Sequence, residues 1–127
     1  MTESNGTNIQ NYKQYSTNLF PVELVVAEYE KNIEELCESF ELPMNELPHA
    51  ACAITMLAAD KSSCDRVVMA AFERGCEETT WVHEAVHVAS LFCLIHHITF
   101  SSTEDETHAY LTEWAYKCIK SFFTVQG

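Results

Sequence analysis

His83-Glu84-Ala85-Val86-His87 constrains this chain more than any other stretch, because it lies in a run free of Gly and Pro from Thr79 to His97. Within that run Val82, Ala85, Val86, Ala89, Phe92 and Cys93 recur at three- and four-residue intervals. Such spacing predicts one long amphipathic helix. Thr79 and Thr80 suit its N-cap, and Glu77 and Glu78 suit the positive end of its dipole. Residues four apart on a helix stack on one face, about 6 Å apart at Cβ, so His83 and His87 are close enough to share one metal ion. Glu84 is offset by one position and points beside that ion, where a carboxylate can hold a water without being a ligand. The same pair also fits ordinary polar-face histidines, or core histidines satisfied by backbone carbonyls. The choice between these readings turns on what else the chain supplies.

A catalytic zinc takes three protein ligands and keeps a fourth position open. Downstream, Ser101-Ser102-Thr103-Glu104-Asp105-Glu106 reads as a turn and an acid-rich helix start. The helix it opens continues through Ala109, Tyr110, Trp114, Cys118, Ile119 and Phe122 at helical spacing. Glu106 falls in its first turn, with 18 residues (88 to 105) between it and His87. That length lets the first helix end, reverse and bring the second back antiparallel. Other third ligands fit less well. A metzincin pattern needs a glycine where Ser90 stands and a histidine where Cys93 stands, and His96 and His97 fall at the helix end as surface or capping residues.

Together, His83-Glu84-x-x-His87 and Glu106 at this spacing resemble the gluzincin pattern. More closely, Trp81-Val82-His83-Glu84-Ala85-Val86-His87-Val88-Ala89, followed by Asp105-Glu106-Thr107-His108-Ala109-Tyr110-Leu111, is similar to small zinc metallopeptidases encoded by tailed bacteriophages. The resemblance spans Trp81 to about Trp114. It implies a minimal zincin-like domain that hydrolyses peptide bonds through a metal-activated water, with Zn2+ as cofactor. Carried over by position, His83, His87 and Glu106 are the zinc ligands and Glu84 is the catalytic base. The chain departs from the thermolysin-like pattern at Tyr110, where those enzymes place the Asp that orients the first histidine. Tyr110, one turn after Glu106 on the same face, is instead a candidate donor to the oxyanion, with His108 a weaker one. A second reading keeps the zinc but not the turnover: an interaction protein acting in phage–host takeover or particle assembly.

The resemblance implies a peptide or protein substrate, and composition disfavours other partners. The net charge of −12 argues against nucleic acid, which needs a basic footprint, and against anionic membranes. No apolar run approaches the ~20 residues of a membrane span, and the polar start from Met1 to Ser16 does not read as a secretory signal. These features lead to an expectation of a cytoplasmic protein, in the host cytoplasm if phage-encoded. Six widely spaced cysteines with no Cys-x-x-Cys then read as reduced thiols rather than a disulfide framework.

At 127 residues one modest core is expected, in a domain from 19 to 127 behind a flexible polar segment from 1 to 18. Phe20 to Val26 reads as a short strand or extended entry. Glu28 to Phe40 reads as a helix burying Tyr29, Ile33, Leu36, Cys37 and Phe40. Leu42-Pro43 and Leu47-Pro48 mark a loop. Ala50 to Ala58 and Arg66 to Glu73, parted by Asp60-Lys61-Ser62-Ser63, read as an antiparallel hairpin, although the alanine-rich first arm is also compatible with helix. The fold class expected is α+β: a short antiparallel sheet packed on the metal-binding helix, with the Glu106 helix following. Arg66 to Glu73 is the candidate edge for an extended substrate, with a plain core strand as the other reading.

Overall fold

Val67 to Phe72 are all at most 2% exposed, and Leu24 to Ala27 are completely buried. Unbroken buried runs of this kind belong to strands covered on both faces. The computed structural model describes residues 11–46, 52–98 and 105–126. Its elements are β1 (Tyr12–Tyr15), β2 (Glu23–Tyr29), β3 (Phe40–Glu41), β4 (Ala53–Asp60), β5 (Arg66–Glu73), α1 (Glu78–Ile95) and α2 (Asp105–Gln126). The architecture is α+β, a five-stranded sheet in the order β1-β2-β5-β4-β3 with both helices on one face.

The sheet is mixed rather than antiparallel throughout. β4 and β5 form the expected hairpin, with Met56 opposite Met69. β5 then inserts beside β2 in parallel, Glu23 opposite Val67 and Tyr29 opposite Glu73. This makes β5 an interior strand, so it offers no free edge to a substrate. Among the described residues, free edges remain on the outer side of β1 and along part of β4. β3 covers only Ala59 and Asp60, and from Ala53 to Ala58 the outer side of β4 has no strand partner among the described residues.

Alternation sorts the sheet residues into two cores. Leu24, Val26, Val68, Ala70 and Phe72 pack under α1 and α2 against Ala85, Val88, Ala89, Phe92, Leu111, Ala115, Ile119 and Phe122. Val25, Ala27, Tyr29, Met56, Ala58, Val67, Met69 and Ala71 face the other way, onto Leu36, Phe40 and Leu42.

The helix expected over Glu28 to Phe40 is not formed. Glu28 and Tyr29 complete β2, because pairing with Phe72 and Glu73 and burial of Tyr29 outweigh a weak helical preference. Asn32 then caps a 3-10 helix, Ile33–Glu38. The Glu35 carboxylate accepts the backbone N–H groups of Glu30, Lys31 and Asn32 at 2.8, 2.7 and 3.2 Å. Those bonds hold its pKa below the usual carboxylate range, the Glu30 and Lys31 donors contributing most. Tyr12–Tyr15, inside the segment read as a flexible lead-in, is the outermost strand, antiparallel to β2. The expectation for Leu47-Pro48 and for Ser101 to Glu104 lies outside the described residues. None of the six cysteines is in a disulfide, and Cys93 and Cys118 are buried.

Candidate metal centre

Both ends fix how α1 lies on the sheet. Near its start, Tyr116 Oη of α2 donates to Glu78 Oε2 at 2.5 Å, and the Trp81 ring stacks on Phe123 with centroids 5.0 Å apart. At its end the ring nitrogen Nδ1 of His96 lies 2.8 Å from the Phe92 carbonyl, and His97 takes a positive φ of 59° to stop the helix. His96 and His97 are thus the terminating residues their place at the helix end implied. The N-cap is Glu77, not Thr79 or Thr80, which lie inside the first turn.

The buried stripe is Ala85, Val88, Ala89, Phe92 and Cys93, and this rotation leaves Val82 and Val86 about half exposed, contrary to their expected place in the core. The same rotation turns Glu84 inward and His83 and His87 outward. Glu84 is 5% exposed.

The two histidines converge. Their Nε2 atoms are 3.2 Å apart, with ring planes at 69°. Two nitrogens bound to one tetrahedral zinc at about 2.0–2.1 Å must lie roughly 3.3 Å apart, so the pair already has the spacing a shared ion requires. An N–H···N hydrogen bond between neutral imidazoles has similar length, and which nitrogen carries the proton follows from the partner. Glu84 Oε2 lies 3.9 Å from His83 Nε2. Its other oxygen, Oε1, accepts a hydrogen bond from Thr55 Oγ1 of β4 at 2.8 Å. The sheet therefore fixes the carboxylate from below while its free oxygen faces the histidine pair.

α2 returns antiparallel, and its first turns lie beside the second half of α1. Ser90 Oγ and His108 Nε2 are 3.1 Å apart. Ser90 is one turn beyond His87, so Glu106, two residues before His108, lies further towards the α1 C-terminus. Glu106 is exposed, and Tyr110 is 45% exposed on the same helix. Among the described residues no group of three or more His, Cys, Asp or Glu side chains is gathered to hold a metal ion. His83 and His87 converge as a pair with the Glu84 carboxylate beside them, while Glu106 and Tyr110 are not joined to them.

Thr55 is the site residue that the sequence reading missed. Its signal was present, since it is the one hydroxyl in the otherwise apolar run Ala53 to Ala59. Comparison with protein-family models, with curated proteins and with solved structures finds no match to this chain. Among the described residues no helix is long and apolar enough to cross a membrane.

Proposed function

We propose that this protein is a zinc-dependent metallopeptidase of minimal zincin-like form, in which His83 and His87 are metal ligands, Glu106 is the third and Glu84 is the general base. The observation that carries this reading is the 3.2 Å convergence of two Nε2 atoms beside an anchored carboxylate. A zinc ion held there would polarise a scissile carbonyl and make a nearby water more acidic. Glu84 would take the proton of that water on its free oxygen and pass it to the leaving amine, with Thr55 holding the carboxylate in place. Tyr110 would donate to the carbonyl oxygen, and the open side of β4 would align an extended peptide by main-chain hydrogen bonds. Glu106 would complete the ligand set when the first turn of α2 is brought towards His87.

The test combines metal analysis with cleavage. Protein purified without added metal should hold about one zinc per chain, lost on replacing either histidine with Ala. Glu84→Gln should keep the zinc and lose turnover by roughly 10²-fold or more, as removal of a general base does. One observation favours a second reading, in which the zinc site serves interaction and not turnover. Glu84 is nearly fully buried and already engaged by Thr55, as a tether between helix and sheet would be. If zinc-loaded wild-type protein cleaves nothing in a broad peptide library, that second reading takes its place.

A further inference from the structure

Arg66 starts β5 opposite Ala59, and its side chain is exposed. The chain has 19 acidic residues against seven Lys and Arg, and two of the seven form ion pairs among the described residues. Arg74 reaches Glu30 at 2.9 Å and Glu28 at 3.7 Å, and Lys117 reaches Glu113 at 3.9 Å. Arg66 makes no ion pair among the described residues, although Glu23, Asp65 and Glu41 lie around clefts that it lines.

One of those clefts has no carboxylate in its wall. It measures about 130 Å³ and is bounded by Val22, Leu57, Arg66, Ile95 and His96. That is roughly four times a water's share of liquid volume, room for a carboxylate on one or two methylenes. The His96 ring is fixed twice, stacked on Phe20 with centroids 4.0 Å apart and held through Nδ1 to the Phe92 carbonyl. With Nδ1–H given to that carbonyl, Nε2 of the neutral ring is an acceptor, so the ring serves the cleft as a fixed wall. The cleft thus sets one guanidinium among apolar walls, the chemistry that receives a carboxylate with a short aliphatic stem.

Its position gives the carboxylate a carrier. Leu57 and Arg66 also line a wider cleft of about 410 Å³ that follows β4 past Ala58 and Ala59 to Leu42 and Pro43. Leu57 lies on the same face as Thr55, two residues along β4 from the contact with Glu84, a distance of about 7 Å. We infer that Arg66, beside the wall made by the His96 ring, forms a carboxylate subsite that takes the Asp or Glu side chain of an extended peptide paired with the outer edge of β4, two residues from the position beside Glu84. The inference rests on the peptide-binding part of the reading above and not on turnover.

Charge sets a demanding test. The overall −12 favours basic peptides at long range, but at 0.15 M salt that field is screened within about 8 Å. An acidic preference at a single position can therefore come only from a local cation. Fluorescein-labelled nonapeptides of Ala and Thr, with Glu, Gln or Lys scanned through each position, are titrated against the full chain by anisotropy. Mass spectrometry of the same samples reports cleavage. At one position Glu should bind roughly three- to ten-fold tighter than Gln, with Lys weaker still, in the range of a partly screened charge pair. Arg66→Gln changes an exposed side chain and leaves the β4–β5 ladder intact, and it should remove the preference. An unchanged preference in Arg66→Gln overturns the subsite, as does equal binding of Glu and Gln at every position or no binding at all. Cleavage without an acidic preference leaves the peptidase standing and removes the subsite, and a preference without cleavage does the reverse.

Discussion

Thr55 and Glu84 are where one side chain decides most. Thr55→Val keeps the volume of the side chain and removes the hydroxyl that donates to the Glu84 carboxylate, whose residue is 5% exposed. Losing one partner of a buried charged group costs about 1–3 kcal/mol, so urea unfolding should show a loss of that size. Activity should fall as well, because the base then loses its orientation. A variant as stable as wild type would mean that Glu84 does not depend on the sheet. Glu35 offers a pH-dependent counterpart. Its folded pKa is depressed by the Glu30 and Lys31 N–H donors, so its contribution is present above the unfolded value of about 4.3 and is lost as pH falls through the lower folded value. Stability measured by urea at steps from pH 6 to pH 3 should therefore decline less steeply in Glu35→Gln than in wild type. Parallel curves would remove Glu35 from the acid response.

Among the elements, β5 carries the heaviest structural demand, since it pairs on both sides and is covered on both faces. Phe72 is fully buried under the helices and meets Phe123 edge-on at 5.3 Å. Phe72→Ala should cost about 3–5 kcal/mol, a large part of the stability of a domain this size, and circular dichroism with urea titration would register it. The β4–β5 hairpin was readable because Asp60 to Ser63 is a polar break between two apolar runs, and Asp60 does bind the Ser62 N–H at 2.8 Å. α1 and α2 were readable from periodicity. β2 was not. Tyr29, Ile33, Leu36, Cys37 and Phe40 have helical spacing, yet they divide among a strand end, a 3-10 turn and β3, all filling one core under the sheet. Strand order was equally hidden, because the parallel partner of β5 lies some forty residues upstream and no local signal marks it. At the site, the helix period placed His83 and His87 together, and it left open which face is buried. The rotation of α1 exposed Val82 and Val86 and sent Glu84 to Thr55, a contact 29 residues apart in sequence.

At the scale of the whole molecule, the proposed metal site should be visible as stability. A ligand that binds only the folded state stabilises by RT ln(1 + [L]/Kd), about 2.7 kcal/mol at one hundred times Kd. For a chain of 127 residues each kcal/mol moves Tm by roughly 3–6 °C. Zinc at that level should therefore raise the Tm of the metal-stripped protein by about 8–16 °C. A chain of net charge −12 also repels itself, so any divalent cation gives some relief by screening, and a bare Tm increase is not diagnostic. The discrimination comes from chemistry. Mg2+ is a hard ion that prefers oxygen ligands and gains little from two imidazoles, so at equal ionic strength it should reproduce only the screening part, in wild type and variants alike. His83→Ala and His87→Ala change exposed side chains that no core contact uses, so both should fold and show the magnesium response alone when given zinc. Glu106→Gln separates the ligand set from the histidine pair: with Glu106 as third ligand, most of the zinc increment disappears while the unliganded Tm stays within a few degrees. A zinc increment equal to that of magnesium in the wild-type protein would leave His83 and His87 as a hydrogen-bonded surface pair and remove the metal from the site.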